Sequence, residues 1–189
     1  SQGARAWLSV NDQLRPEAKT TLKALSKLGL EIHMLTGDAS HAVQRTAQAL
    51  DIRHVVSGVS PEGKLEYIKA LQASDKRVIM IGDGINDIPV LAGAQTSVAM
   101  GAATDLAKTN ADAVLVNGDL SRLTTAVSLS RRTRIVVRQN LSWSALYNFS
   151  VLPLAAFGLI PPYLAALGMS ASSLVVVGNA LRLSRVKRS

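Results

Sequence analysis

Carboxylates at Asp83 and Asp87, an ammonium at Lys64 and a hydroxyl at Thr36 are the groups in this chain whose types and spacing could do chemistry. The two aspartates stand in residues 78–91, VIMIGDGINDIPVL, where apolar residues that read as a buried strand run into Gly82-Asp83-Gly84 and Pro89 suits the first turn of a helix. Closely spaced Asp side chains at the C-terminal end of a strand suit a hard cation such as Mg²⁺. The glycines let the backbone turn sharply and approach a phosphate closely. Taken alone, the stretch also reads as an Asp-Gly turn between strand and helix. Thr36 ends another predicted strand in Thr36-Gly37-Asp38, and Lys64 opens a helix that begins at Pro61. All three features fall on one edge of the predicted sheet. A hydroxyl, an ammonium and a Mg²⁺-binding carboxylate pair supply the electrostatic stabilisation a transferring phosphoryl group needs, but a nucleophile is missing.

The elements that must position these groups alternate along the chain. Residues 6–10 form a short apolar run. Asp12-Gln13-Leu14-Arg15-Pro16 then opens a helical pattern with Ala18, Leu22, Leu25 and Leu28 on one face, closed by Gly29. The pattern predicts strands at 30–35, 54–57, 77–81, 96–99 and 113–116. Helices are expected at 42–50, from Pro61 onward, at 86–94 and briefly at 106–110, with a helical pattern from 120 through 138. Such alternation predicts a parallel sheet wound right-handedly.

Composition adds a second region. Of 189 residues, 48% are hydrophobic and 18% charged, with positive mean hydropathy. No charged side chain occurs from Gln139 through Leu181, a run long enough for two membrane crossings of about 20 residues each. The candidate spans are 140–159 and 163–181, joined through Gly158, Pro161 and Pro162, with Trp143 and Tyr163 expected near opposite interfaces. Arg131, Arg132, Arg134 and Arg138 precede this run, and Arg182, Arg185, Lys187 and Arg188 follow it. These cations account for the whole net charge of +8, so the remainder is neutral and a nucleic-acid partner is not expected. Basic clusters at both ends of a helical hairpin place both ends in the cytoplasm. With no cysteine, neither disulfides nor thiolate ligands are available within the chain. The N-terminus is not a signal peptide and reads as a strand entered partway through a larger protein. His33, His41 and His54 read as structural or surface residues.

MLTGD, PEGK and GDGINDIPVLAGA, in that order, resemble the phosphorylation-domain motifs of P-type ATPases, members of the haloacid dehalogenase superfamily. Asp12 through Arg15 also resembles that family's aspartate-arginine element. The resemblance implies a Rossmann-like α/β phosphorylation domain followed by a two-helix transmembrane hairpin. Its expected divisions are 1–130 for the domain, 131–138 for a basic juxtamembrane helix, 139–181 for the two spans and 182–189 for a cytoplasmic tail. By the same resemblance Thr36, with Gly37 and Asp38, contacts an aspartyl phosphate and Lys64 neutralises it. Asp83 ligates Mg²⁺, and Asn86 and Asp87 complete the site. ATP is the implied substrate. The family's phosphorylated aspartate lies in Asp-Lys-Thr-Gly-Thr, which is absent here, as are its nucleotide-binding domain and Thr-Gly-Glu motif. The chain thus resembles the C-terminal part of a pump, which alone does not turn over ATP by the family's mechanism.

The uncharged run bears on what such a pump carries. Met is a soft ligand that suits Cu(I), whereas Zn²⁺ or Ca²⁺ sites usually have an acid or thiolate nearby, and none is available here. Ser can equally bond back to its own helix, Asn can join helices, and Met can simply pack. Tyr147-Asn148 in the first span and Met169 with Ser173 in the second resemble the last two membrane helices of the Cu(I)-selective heavy-metal P-type ATPases. The family's Cys-Pro-Cys sequence is absent. GAQTSVAMG and TDLAKTNADAVL look most like the branch linked to cytochrome oxidase assembly. The resemblance implies Cu(I) export from the cytoplasm across a bacterial inner membrane, with a copper chaperone as partner. The alternatives are a pump for Ag, Zn or Cd, a truncated non-catalytic fragment, or a membrane-anchored phosphatase using Asp12.

Overall fold

The computed structural model describes residues 14–82, 87–101 and 103–184, arranged as two compact units, Ser1–Thr124 and Thr125–Ser189. Strands and helices alternate through the first unit. In order they are α1 (Ala18–Lys27), β1 (His33–Leu35), α2 (His41–Ala49), β2 (His54–Val56), α3 (Pro61–Ala73) and β3 (Ile79–Gly82). Then come α4 (Ile88–Gly93), β4 (Thr96–Met100), α5 (Asp105–Thr109) and β5 (Ala113–Leu115). The expected run at 6–10 and Asp12 lie outside the described residues.

Every strand pairing is parallel, as the alternating pattern predicts. Among the described residues the strands form two ladders, β1–β2 and β3–β4–β5. β1 and β3, the strands that lead into the Thr36 and Asp83 motifs, are each hydrogen-bonded on one edge only among the described residues. The expectation that 78–81 is a buried strand is corrected accordingly. Ile79 and Ile81 are exposed, because nothing among the described residues covers that face of β3, while Gly82 is buried. The core lies on the other side, where Leu91, Ala99, Ala103 and Ala107 pack with Met80 and Ile88. Ile68 of α3 and Val90 of α4 are fully buried, and α3 lies so close to α4 that Leu65 occupies the place of any Cβ on Gly93.

Local signals explain where helices stop. α1 buries Ala18, Thr21 and Leu25 on one face, then ends as Gly29 turns left-handed at φ 77°. The Gly29 N–H donates to Ser26 O and the Leu30 N–H to Leu25 O, which satisfies carbonyls that a helix end otherwise leaves unpaired. α2 and α3 close with the same bonds around Asp51 and Asp75, both also left-handed.

The second unit contains two helices. α6 (Ser121–Ala156) includes Pro153, and α7 (Pro162–Leu181) follows a turn in which Gly158 has φ 72° and the Leu159 N–H donates to Leu154 O. Residues 163–181 of α7 form the one helical stretch among the described residues that is long and apolar enough to cross a membrane. Within the unit the two helices are joined by polar bonds in antiparallel order. Asn179 Nδ2 donates to Asn140 Oδ1 at 2.9 Å, Trp143 Nε1 to Ser172 Oγ at 3.1 Å, and Tyr147 OH to Ala165 O at 3.2 Å. The Trp143 indole N–H is satisfied by a hydroxyl in the middle of α7.

Nothing crowds a side chain at Gly29, so backbone strain alone opposes substitution. Gly29→Ala should lower unfolding free energy by about 1–2 kcal/mol in urea titrations, with an unchanged m-value.

Candidate phosphoryl site

Lys64 and Asp87 form the least exposed ion pair among the described residues. Lys64 Nζ lies 2.7 Å from Asp87 Oδ1, and their side chains are only 12% and 14% exposed. The local sequence produces this contact directly. Ser60 caps α3 by accepting from the Gly63 N–H at 3.1 Å, Pro61 pre-sets the first turn, and Lys64 follows with its N–H bonded to Ser60 O. Asp87 sits at the N-cap position of α4. It folds back against β3, so closely that a Cβ on Gly82 would lie 3.0 Å from Asp87 Cβ and 3.1 Å from Oδ2. Glycine at position 82 therefore favours the carboxylate's placement, which spacing alone did not reveal.

Thr36, Gly37 and Asp38 leave the C-terminal end of β1 in a loop tied to the segment after β2. Thr36 N–H donates to Val56 O, Val59 N–H to Thr36 O and Gly58 N–H to Asp38 O, all at 3.0–3.1 Å. Thr36 Oγ1 accepts from the Asp38 N–H at 3.1 Å, which leaves its own hydroxyl proton available to another acceptor. Asp38 itself is directed to the chain. Its carboxylate accepts from the Ser40 N–H at 2.7 Å and from Ser40 Oγ at 2.8 Å, and Ser40 caps α2. The Ser40 backbone bond, then its hydroxyl, holds the Asp38 carboxyl below the ordinary carboxylate range. Asp38 thus shapes the loop that carries Thr36. Gly37 meets only Val59 O at 3.6 Å, an ordinary contact.

Asp83 and Asn86 lie outside the described residues. Arg15, from the predicted aspartate-arginine element, donates from Nη1 to Gly118 O at 2.9 Å and so ties the start of α1 to the loop after β5. In the second unit Tyr147 meets α7, whereas Asn148 is exposed. Met169 is also exposed, and Ser173 Oγ donates back to Met169 O at 3.0 Å.

A part-buried Lys64–Asp87 pair at a strand end and the Thr36 loop stand on a parallel α/β scaffold. A model of haloacid dehalogenase-like hydrolases matches residues 4–95. A copper-transporting ATPase 2 of Rhizobium meliloti is 42% identical over 188 residues, covering 96% of this chain and 23% of the relative. A copper-exporting P-type ATPase of Staphylococcus saprophyticus is 39% identical over 187 residues, covering 99% of this chain and 24% of its own length. Among solved structures, a zinc-transporting PIB-type ATPase in its E2.Pi state matches with a TM-score of 0.87 and 34% identity, over 92% of this chain and 28% of that one. The chain is homologous to a segment of the copper-transporting P-type ATPases and spans about a quarter of the length of the curated relatives it matches.

Removing the ammonium would leave Asp87 largely buried without its counter-ion. Lys64→Met should destabilise the first unit by about 3 kcal/mol, and the double variant Lys64→Met/Asp87→Leu should recover most of that loss in thermal or urea unfolding.

Proposed function

We propose that this chain belongs to an ATP-driven Cu(I) pump that moves copper out of the cytoplasm through an aspartyl-phosphate intermediate. The observation that carries this reading is the part-buried Lys64–Asp87 pair at the end of β3, in a chain that continues into two antiparallel helices. Its homology to copper-transporting ATPases supports the same conclusion. The aspartate to be phosphorylated is supplied by sequence outside these 189 residues. β1 and β3 each have an edge unpaired among the described residues, and a further parallel strand bearing that aspartate would hydrogen bond there.

In this reading Thr36 donates its hydroxyl to a phosphoryl oxygen, and Lys64 turns part of its charge from Asp87 to the incoming anion. Asp87 and Asp83 would hold Mg²⁺; Asp87 fits because Lys64 engages Oδ1 and no partner among the described residues engages Oδ2, an oxygen suited to a hard cation. When bound, that ion neutralises charge on the phosphoryl oxygens. Asn86 completes the site, and Gly37 and Asp38 keep the Thr36 loop in place.

α6 and α7 act as a membrane hairpin, and the exposure of nearly every large apolar side chain on α7 suits contact with lipid or with other helices. Tyr147, Asn148, Met169 and Ser173 contribute to the Cu(I) path, with Met169 as the soft ligand. The basic residues flanking the helices favour a cytoplasmic first unit and C-terminus in a bacterial inner membrane. A copper chaperone is the natural donor, because free Cu(I) is scarce in cytoplasm rich in thiols. Relatives described as copper-exporting and as copper-importing both occur, so export is the finer part of the proposal.

In the intact pump, Met169→Ala should abolish Cu(I)-stimulated phosphorylation from ATP while phosphorylation from inorganic phosphate persists. Stimulation of the unaltered pump by Zn²⁺ with no response to Cu(I) would overturn the copper assignment.

A further inference from the structure

His33 and His54 open β1 and β2 and are register partners across that ladder, so the pairing that aligns the two strands also brings two imidazoles together. Their rings stack with centroids 4.4 Å apart and planes inclined by 15°. Glu31, two residues before His33, places its Oε2 3.5 Å from His33 Nε2. One ligand atom from each of Glu31, His33 and His54 lies within 4.8 Å of the others. From this geometry we propose that Glu31, His33 and His54 form a binding site for a divalent transition-metal ion of the Zn²⁺ class, at the end of the β1–β2 ladder opposite to Thr36.

The donor set is chemically apt. Two imidazole nitrogens and one carboxylate oxygen suit Zn²⁺ and leave a fourth position for water. His33 also has the support that a metal-bound imidazole requires. Its Nδ1 lies 2.9 Å from Tyr67 OH, a group that can donate to Nδ1 or accept from Nδ1–H. When Nε2 binds a metal, the proton resides on Nδ1 and the tyrosine oxygen accepts it, which fixes the ring's tautomer and orientation. Tyr67 belongs to α3, so a partly buried element holds the central ligand.

Access and adjustment fall to the other two ligands. Donors on one tetrahedral zinc at about 2.0–2.2 Å lie roughly 3.3 Å from one another, so the ligand atoms must draw closer. Glu31 and His54 are exposed and can rotate, whereas His33 is half-buried and stays. Rotation of the His54 ring out of the stack presents a nitrogen toward His33 Nε2. A cavity of about 360 Å³ lined in part by Ser26, Glu31, Asp51 and His54 opens beside them and gives an ion a route in. Lys76 opposes the site, since its ammonium engages the same Glu31 oxygen that faces His33. An arriving cation must displace or share that contact, which sets the affinity below that of the bare donor set.

The opposition of Lys76 makes the inference specific. Zn²⁺ binding to the full chain is measured by competition with a chromophoric chelator, in excess Mg²⁺ to occupy the aspartates near β3. The parent should bind one Zn²⁺. His54→Ala and Glu31→Gln, both at exposed positions, should each weaken binding at least tenfold, and Lys76→Met should tighten it. His41→Ala, which changes a histidine outside the cluster, should leave it unaltered. Circular dichroism confirms that each variant is folded. Zn²⁺ binding by His54→Ala as tight as the parent's, tighter binding lost rather than gained in Lys76→Met, or no competition by the parent at micromolar Zn²⁺ would overturn the site.

Discussion

The contact between Lys64 and Asp87 is the interaction on which the proposed phosphoryl site depends. An ammonium and a carboxylate 2.7 Å apart, largely removed from water, fasten the first turns of α3 to the start of α4. A cation near a helix N-terminus opposes the helix dipole, so Lys64 stands there at a cost that Asp87 offsets. An anion brought to the same place would be attracted both by the ammonium and by the helix end. The pair therefore joins two helix starts, and under the proposed function the same ammonium would meet a phosphoryl group. Gly82 favours this placement, because a Cβ there would press on Asp87 and oblige its side chain to shift by a few tenths of an ångström.

Around that contact the scaffold divides its work. Ser40 and Ser60 cap the helices after β1 and β2, and the Asp38 carboxylate accepts hydrogen bonds from Ser40. Arg15 fixes the loop after β5 from the opposite end of the unit's sequence. In the second unit, uncharged polar groups do the joining, through Asn140 with Asn179, Trp143 with Ser172 and Tyr147 with a backbone carbonyl. Such bonds order two helices without placing a formal charge between them, which suits the membrane hairpin proposed for them.

Much of the first unit was legible from the chain because its signals are local. Strand and helix positions followed hydrophobic period, and Thr36, Lys64 and Asp87 followed the short motifs that carry them. What was not legible depends on distance in sequence. The split into two ladders and the exposure of Ile79 and Ile81 depend on which neighbours cover a strand, which periodicity does not report. His33 and His54 looked scattered because only strand register brings them together. The hydrogen bond of Trp143 to Ser172 likewise depends on how two helices pair, which the local pattern does not report.

The most direct measure of the account is phosphoenzyme formation from inorganic phosphate and Mg²⁺ in the intact pump, comparing the parent with Lys64→Met after both are shown to be folded. This step bypasses ATP and metal delivery and reads the site alone. A phosphate site built on Lys64 predicts that the variant incorporates little or no labelled phosphate. Incorporation at the parent's level and affinity would contradict it.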